Sequence, residues 1–268
     1  FNKKINPSIL KNIFLYSAFL IMTFSCHSPK SDKSNLEKSD SINNVEQTTY
    51  YSQVYEQDTF ITYKYRPENE VLQFYWKDES NNILQNFPNL ISFTAQQNKE
   101  LLFAMNGGMY MKDRSPLGLY IEDGKTIRQL NTRSGNGNFY MEPNGVFCIK
   151  SDHTCEIIKT KDFNKENVQY ATQSGPMLVI DGKINPLFTQ NSSNTNIRNG
   201  VGLSADNKTI FVISKIPVNF YDFAAFFQKL GCENALYLDG VISKIYIKDK
   251  TTNLSSDNFG VIIGITKK

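Results

Sequence analysis

Histidine is almost missing from this chain: His27 and His153 are the two imidazoles among 268 residues. A Ser-His-Asp relay needs a positioned imidazole as its base, and His153 falls in a polar turn, which argues against that chemistry. Cysteine is sparse as well. Cys26, Cys148, Cys155 and Cys232 are scattered, and with so few histidines they offer no cluster of zinc ligands. No Walker-type phosphate loop is present, and no dinucleotide fingerprint follows a strand. Oxygen-ligated cations are another matter. Asp and Asn are plentiful enough to leave calcium open as a cofactor, although no spacing demands it.

Long apolar runs are also lacking. The run at residues 13–24 is about 12 residues, where a bilayer span needs roughly 20. Lys3, Lys4 and Lys11 precede or flank it and Ser25-Cys26 follows, the pattern of an export signal whose cleavage leaves Cys26 to carry lipid. Residues 1–25 therefore read as a lipoprotein signal peptide, with an ordinary signal peptide and an incidental cysteine as the plainer alternative. This leader holds three lysines and no acid, so beyond it 26 basic side chains balance 26 acidic ones. Such a balance leaves no broad basic surface, and nucleic acid is not expected as a partner. Residues 26–48 are polar and charged, with too little apolar surface to offset the entropy of ordering, and read as a flexible tether. The expected location is a bacterial cell envelope, with the chain held to a membrane through lipid on Cys26 and facing the periplasm or the cell exterior.

From residue 49 the texture changes to aromatic and β-branched residues, and the roughly 220 that remain suffice for one domain with a substantial core. Residues 60–65, 71–76 and 101–105 read as strands. Asp123-Gly124 and Asp181-Gly182 mark hairpins, joining 117–122 to 125–130 and 177–180 to 183–184. Further hairpins are expected at 145–149 with 154–159 and at 201–204 with 209–214, and later strands at 235–239, 242–247 and 260–266. One helix is read over 89–99. Another is signalled by Phe223, Phe226, Phe227 and Leu230 at helical spacing, with Asn219 as N-cap, Asp222 three residues on, and Gly231 at the end. The pattern predicts an α+β fold: a single domain over 49–268 with a mixed, hairpin-rich β-sheet and a few packed helices. Cys148 and Cys155 flank a turn and either face one another as a disulfide or remain buried thiols. Cys232 reads as core.

Four segments place small and polar residues where apolar strands end. Asn106-Gly107-Gly108 offers an amide and two glycines whose backbone can approach an anion closely, or else forms a tight turn. Ser174-Gly175 precedes a strand and could bind a phosphate or sugar hydroxyl, although a loop turning into a strand explains the same letters. Arg198 sits between a polar loop and an apolar strand, a setting for bidentate phosphate binding or for a surface ion pair. Asp239-Gly240 closes the apolar strand 235–239. A carboxylate buried there is costly unless it works, which makes Asp239 a candidate for catalysis.

Taken in order, these segments resemble one family. Asn106-Gly107-Gly108-Met109-Tyr110, Ser115-Pro116-Leu117-Gly118-Leu119-Tyr120, Pro143-Asn144-Gly145-Val146-Phe147 and Gln173-Ser174-Gly175-Pro176-Met177 carry the likeness, together with Ile197-Arg198-Asn199-Gly200-Val201-Gly202, Val218-Asn219-Phe220 and Leu236-Tyr237-Leu238-Asp239-Gly240. The run, covering about residues 60–266, resembles the phosphodiester glycosidase domain family in its short bacterial branch. The resemblance implies a carbohydrate phosphodiester as substrate, cleaved at the bond between sugar and phosphate. It implies a site made by Asn106, Gly107, Gly108, Ser174, Gly175, Arg198, Asp239 and Gly240, in which Asp239 is base or nucleophile and Arg198 holds phosphate with the Gly107 and Gly175 amides. A second carboxylate is not evident; Asp113 and Glu122 are candidates, and Asp222 fits a helix cap. One departure stands out. Where family members commonly continue with small residues, Gly240 is followed here by Val241 and Ile242, with Ser243 behind. A binding protein that holds a sugar phosphate or glycan without turning it over is the competing reading.

Overall fold

Tight left-handed turns fold the chain back on itself repeatedly. Asp123 and Asp181 take φ of 48° and 50°, and the glycines after them 74° and 75°. Positive φ at both central residues makes a turn whose twist matches paired strands. The computed structural model describes residues 50–239, 242–252, 254 and 257–268, all within a single compact unit. In chain order these form β1 (Tyr50–Tyr55), β2 (Asp58–Lys64), β3 (Glu70–Tyr75), α1 (Phe87–Gln96), β4 (Leu101–Asn106), β5 (Tyr120–Glu122), β6 (Lys125–Arg128), β7 (Gly145–Lys150) and β8 (Cys155–Lys159). Then come β9 (Val168–Ser174), β10 (Met177–Ile180), β11 (Lys183–Ile184), β12 (Asn199–Ser204), β13 (Thr209–Ser214), α2 (Phe220–Lys229), β14 (Cys232–Asp239), β15 (Ile245–Ile247) and β16 (Ile262–Lys267).

The strands make three sheets, ordered β1-β2-β13-β12-β14-β10-β11, β15-β4-β16-β3 and β6-β5-β9-β7-β8. The fold is sheet-dominated, with two α-helices among the described residues. A mixed sheet was expected; among the described residues every pairing of these strands is antiparallel. The reason lies in one crossover. Helix α2 links β13 to β14, but β12 lies between them and pairs with both, so the two parallel strands never touch.

Alternation along the strands distributes apolar side chains to both faces. On β13, Phe211 and Ile213 enter a central core, while Ile210 and Val212 face the other way. That central core is shared by all three sheets, with Phe74, Phe103, Phe147, Phe211, Leu238 and Ile263 all wholly or nearly wholly buried. On the outer face of the seven-stranded sheet, Phe223, Phe226 and Phe227 of α2 pack against Phe60, the Phe60 and Phe226 rings stacking at 4.1 Å. Phe87 and Leu90 of α1 cover the four-stranded sheet through Tyr75, Leu101 and Ile262. Both helices start on asparagine caps: Asn86 accepts from the Asn89 amide and Asn219 from the Asp222 amide, each at 2.9 Å. Helix α1 begins before residue 89 because Pro88 is tolerated in a first turn. Gly231 takes φ 77° past α2, as its position required.

The register settles the cysteines. Cys148 pairs with Glu156, and Cys155 with Ile149. A one-residue offset in a ladder of period two puts the two thiols on opposite faces, so they cannot bridge. All three described cysteines are free, and burial pushes the Cys155 thiol up to about 11.

Candidate active site

The three sheets bring their polar strand ends to one place. Strand β4 ends at Asn106, and β12 begins at Asn199 directly opposite Asp239, the end of β14. A register slip follows, since the next residue, Gly200, pairs with Tyr237. This bulge turns the last residues of β14 out of the regular ladder. Ser174, the end of β9, donates its hydroxyl to the Leu238 carbonyl at 2.7 Å and so ties the five-stranded sheet to the residue before Asp239.

Asn106 is the hub. Its Nδ2 donates to Asp239 Oδ2 at 2.9 Å and to the Ile242 carbonyl. Its Oδ1 accepts from Asn199 Nδ2 at 3.0 Å and from the Lys244 amide at 2.8 Å. Asn199 in turn donates to the Asn106 carbonyl at 2.9 Å, and its Oδ1 accepts from the Asp239 amide at 3.1 Å. Ser243 closes the knot with a shared hydroxyl, 3.4 Å from Asn199 Oδ1 and 3.3 Å from the Asp239 carbonyl. The serine that follows Val241 and Ile242 thus still reaches the site. Asn106 and Asn199 are fully buried and Asp239 is 5 % exposed. Each buried amide has its donors and acceptors used within the protein, as a low-dielectric interior requires. The arrangement fixes one carboxylate and leaves Asn106 a positioning residue for it.

A polar rim surrounds this floor. Tyr110 Oη donates to the Asn258 carbonyl at 3.1 Å, and Arg114 Nη1 donates to the same oxygen at 2.9 Å, with the guanidinium 5.1 Å from the Tyr110 ring centre. Lys244 pairs with Asp257 at 3.1 Å. Burial and then the charge of Asp239 push the Tyr110 phenol above its ordinary range, so it remains an O–H donor at neutral pH.

Several expected site residues converge here but do other work than expected. Arg198 is wholly buried: Nε donates to the Val218 carbonyl at 2.8 Å, Nη1 to Tyr237 Oη at 3.1 Å and Nη2 to the Asn194 carbonyl at 2.8 Å, over the Phe220 ring at 3.7 Å. A guanidinium engaged in this way by the protein's own acceptors is a strut under the site rather than a clamp facing a cleft. The Gly107 amide donates to the Val261 carbonyl at 2.9 Å and is not free for phosphate. The glycines answer to close packing instead. A Cβ on Gly107 would lie 2.7 Å from Ile263, one on Gly108 (φ 46°) 2.3 Å from Thr172 Oγ1, and one on Gly175 2.5 Å from Asn144 Cβ. Residues 172–174 are not a loop but the end of β9. Gly240 and Cys26 lie outside the described residues.

Among the described residues neither second-carboxylate candidate is hydrogen-bonded to Asp239, Asn106 or Asn199. Asp113 is exposed and caps the Ser115 amide and hydroxyl at 3.0 and 2.6 Å. Asp222 caps α2 as its spacing suggested. Glu122 lines a separate cavity of about 450 Å³ with Asp123, Tyr170 and Trp76, and burial pushes its carboxyl up to about 7. The folded state then holds that proton more tightly than the unfolded chain. The stability it contributes is complete below the ordinary glutamate range and is lost as pH rises through about 7. Glu122→Gln is therefore expected to raise the melting temperature at pH 8 relative to the parent, with a smaller difference at pH 4. A pH-independent difference would refute this assignment. Among the described residues no group of three or more His, Cys, Asp or Glu gathers as metal ligands.

A sheet-dominated domain with one carboxylate clamped where three sheets meet defines the class, and comparison with known proteins identifies the family. The chain belongs to the phosphodiester glycosidase family, whose model matches residues 99–261. An uncharacterised Escherichia coli K12 protein, YigE, is 37% identical over 212 residues, covering 78% of this chain and 83% of its own. Among solved structures, the catalytic domain of the zebrafish N-acetylglucosamine-1-phosphodiester α-N-acetylglucosaminidase, auto-inhibited by its pro-peptide, superposes with a TM-score of 0.56 at 16% identity, covering 82% of each chain. A hypothetical protein from Synechocystis gives 0.51 at 13% identity, over 82% of this chain and 61% of that one. At such identities the structural likeness establishes the fold.

Proposed function

We propose that the domain hydrolyses a sugar-1-phosphodiester between the anomeric carbon and the phosphate oxygen, giving free sugar and a phosphomonoester. The observation that carries this reading is the buried Asp239, whose carboxylate accepts from Asn106 and whose main-chain amide donates to Asn199 at the meeting point of the sheets, in a chain of this family. The sugar–oxygen bond breaks with its electron pair leaving on phosphate. Water supplies hydroxide to the anomeric carbon, and Asp239 takes the water's proton as base, or attacks first as nucleophile and is released by water. Phosphate is a good leaving group, so the reaction depends less on a second, protonated carboxyl than ordinary glycoside hydrolysis does. Inversion or retention at the anomeric carbon tells the two routes apart. Arg198 acts beneath the site by fixing Tyr237 and the loop carbonyl of Asn194.

The setting we infer is the bacterial envelope, with a lipid on Cys26 anchoring the chain and residues 26–48 as tether. The test is incubation of the purified protein with N-acetylglucosamine-1-phosphodiester, with and without calcium. Release of reducing sugar supports the reading. Tight capture of the diester with no release from this or other sugar-1-phosphodiesters would turn it into a binding protein.

A further inference from the structure

The segment after Asn106 holds a half-buried cation, Arg114. Residues 109–117 form a tight hairpin, with Met111 donating to the Ser115 carbonyl at 2.8 Å and Leu117 to Met109 at 2.9 Å. Arg114 occupies its left-handed corner at φ 65°. The backbone there is fixed from behind, because Trp76 Nε1 donates to the Arg114 carbonyl at 3.0 Å and Gly260 packs so closely that a Cβ would lie 2.6 Å from Tyr110 Cβ. The side chain is fixed in front by the Tyr110 ring and the Asn258 carbonyl. Two features separate this guanidinium from its neighbours. It is half-buried, whereas Arg198 is fully buried. Among the described residues no carboxylate pairs with it, whereas Lys244 is paired with Asp257. A pre-oriented guanidinium with no carboxylate partner is a planar donor fork well suited to holding two oxygens of a phosphate at once.

We propose that Arg114, with the Tyr110 hydroxyl beside it, recognises the phosphate of the phosphodiester and so sets the enzyme's preference for charged over neutral glycosides. Asn106 joins the two parts of this site: it holds Asp239, and the chain reaches Tyr110 four residues later. The field of Asp239 reaches the Tyr110 phenol, which places the rim within electrostatic range of the floor. This inference rests on the proposed hydrolysis, and the experiment separates the two.

Arg114→Gln and Arg114→Lys are compared with the parent on a sugar-1-phosphodiester and on an uncharged aryl glycoside of the same sugar. The expected result is a rise in KM for the diester of roughly 10–100-fold in Arg114→Gln, with kcat less affected. The loss on the diester should exceed that on the neutral substrate by at least about tenfold, and Arg114→Lys should recover part of it. Equal losses on both substrates, or an unchanged KM in a variant that melts like the parent, would overturn the assignment. If the parent turns over neither substrate, the hydrolysis fails and Arg114 is judged by binding alone. Calorimetric titration with inorganic phosphate should then show affinity in the parent that is lost in Arg114→Gln, and equal affinity in both proteins would reject the role.

Discussion

Asp239→Asn is expected to lower turnover of a sugar-1-phosphodiester by roughly 10²–10⁴-fold, the usual contribution of a positioned acid–base group. The substitution is close to isosteric, and the amide oxygen it introduces can still accept from Asn106 Nδ2, as Oδ2 does at 2.9 Å. The main-chain bonds from the Asp239 amide to Asn199 and from Ser174 to Leu238 are untouched. The melting temperature should therefore move by only a few degrees, and the loss should appear in kcat rather than in folding. Single-turnover kinetics on the diester, with thermal melting as control, makes the measurement. Normal turnover in a folded Asp239→Asn protein would remove Asp239 from the chemistry. A variant that neither melts cooperatively nor turns over would show that the carboxylate is chiefly structural. The neutralised group then costs more than an isostere should, and Asp239→Ser gives the cross-check.

Much of this architecture is legible in local chemistry. Asp-Gly pairs force positive φ on two successive residues, so the hairpins at Asp123 and Asp181 follow from two letters each. Asn219, the phenylalanines of α2 and Gly231 each answer a demand made within one helix. What escaped depended on distant partners. Strand β9 lies in the middle of the five-stranded sheet and is buried on both faces, Tyr170 in one core cluster and Val168 and Ala171 in another, so its residues show no alternation of apolar and polar to reveal it. Strand β1 is an edge strand, half-exposed, and reads as polar texture. The absence of parallel pairing turns on β12 being inserted between β13 and β14, and nothing local to those strands announces that insertion.

The site divides along the same line. That Asn106, Ser174, Arg198 and Asp239 lie together is legible because each closes or opens an apolar strand, and such ends meet at the rim of a sheet. Their roles are not, because a role depends on what the partner atoms already hold. Asn106 and Arg198 look like ligand-binding groups until their donors are counted, and then each is occupied by the protein itself. Asn199 was passed over beside the more conspicuous Arg198, although its side chain joins Asn106, Asp239 and Ser243. Arg114, proposed above as the phosphate donor, sits in a turn beside Lys112 and Asp113, where nothing in the local letters singles it out. A strand-opening asparagine opposite a strand-closing acid was a signal available in Asn199 and Asp239, had the pairing of their strands been known.

Asn199→Ala should be among the most damaging single changes outside the apolar core. The side chain is fully buried and its amide serves four partners: the Asn106 carbonyl and Oδ1, the Asp239 amide and the Ser243 hydroxyl. Truncation leaves the buried Asp239 N–H without its acceptor, and it strips a donor from Asn106. An unsatisfied buried polar group costs about 1–3 kcal/mol, so two such groups give a loss of roughly 2–6 kcal/mol. For a domain of this size that corresponds to a fall in melting temperature of roughly 5–15 °C. Turnover should fall further than the folded fraction accounts for, because Asp239 loses the contact that orients its backbone while keeping its charge. Chemical denaturation at matched pH, paired with kcat measured well below the melting temperature, separates the two effects. Stability within about 0.5 kcal/mol of the parent would mean that water or a shift of Ser243 replaces the amide without cost. In that case the knot would not be what holds Asp239 in place. A stability loss with unchanged kcat per folded molecule would mean that Asn106 alone positions the carboxylate.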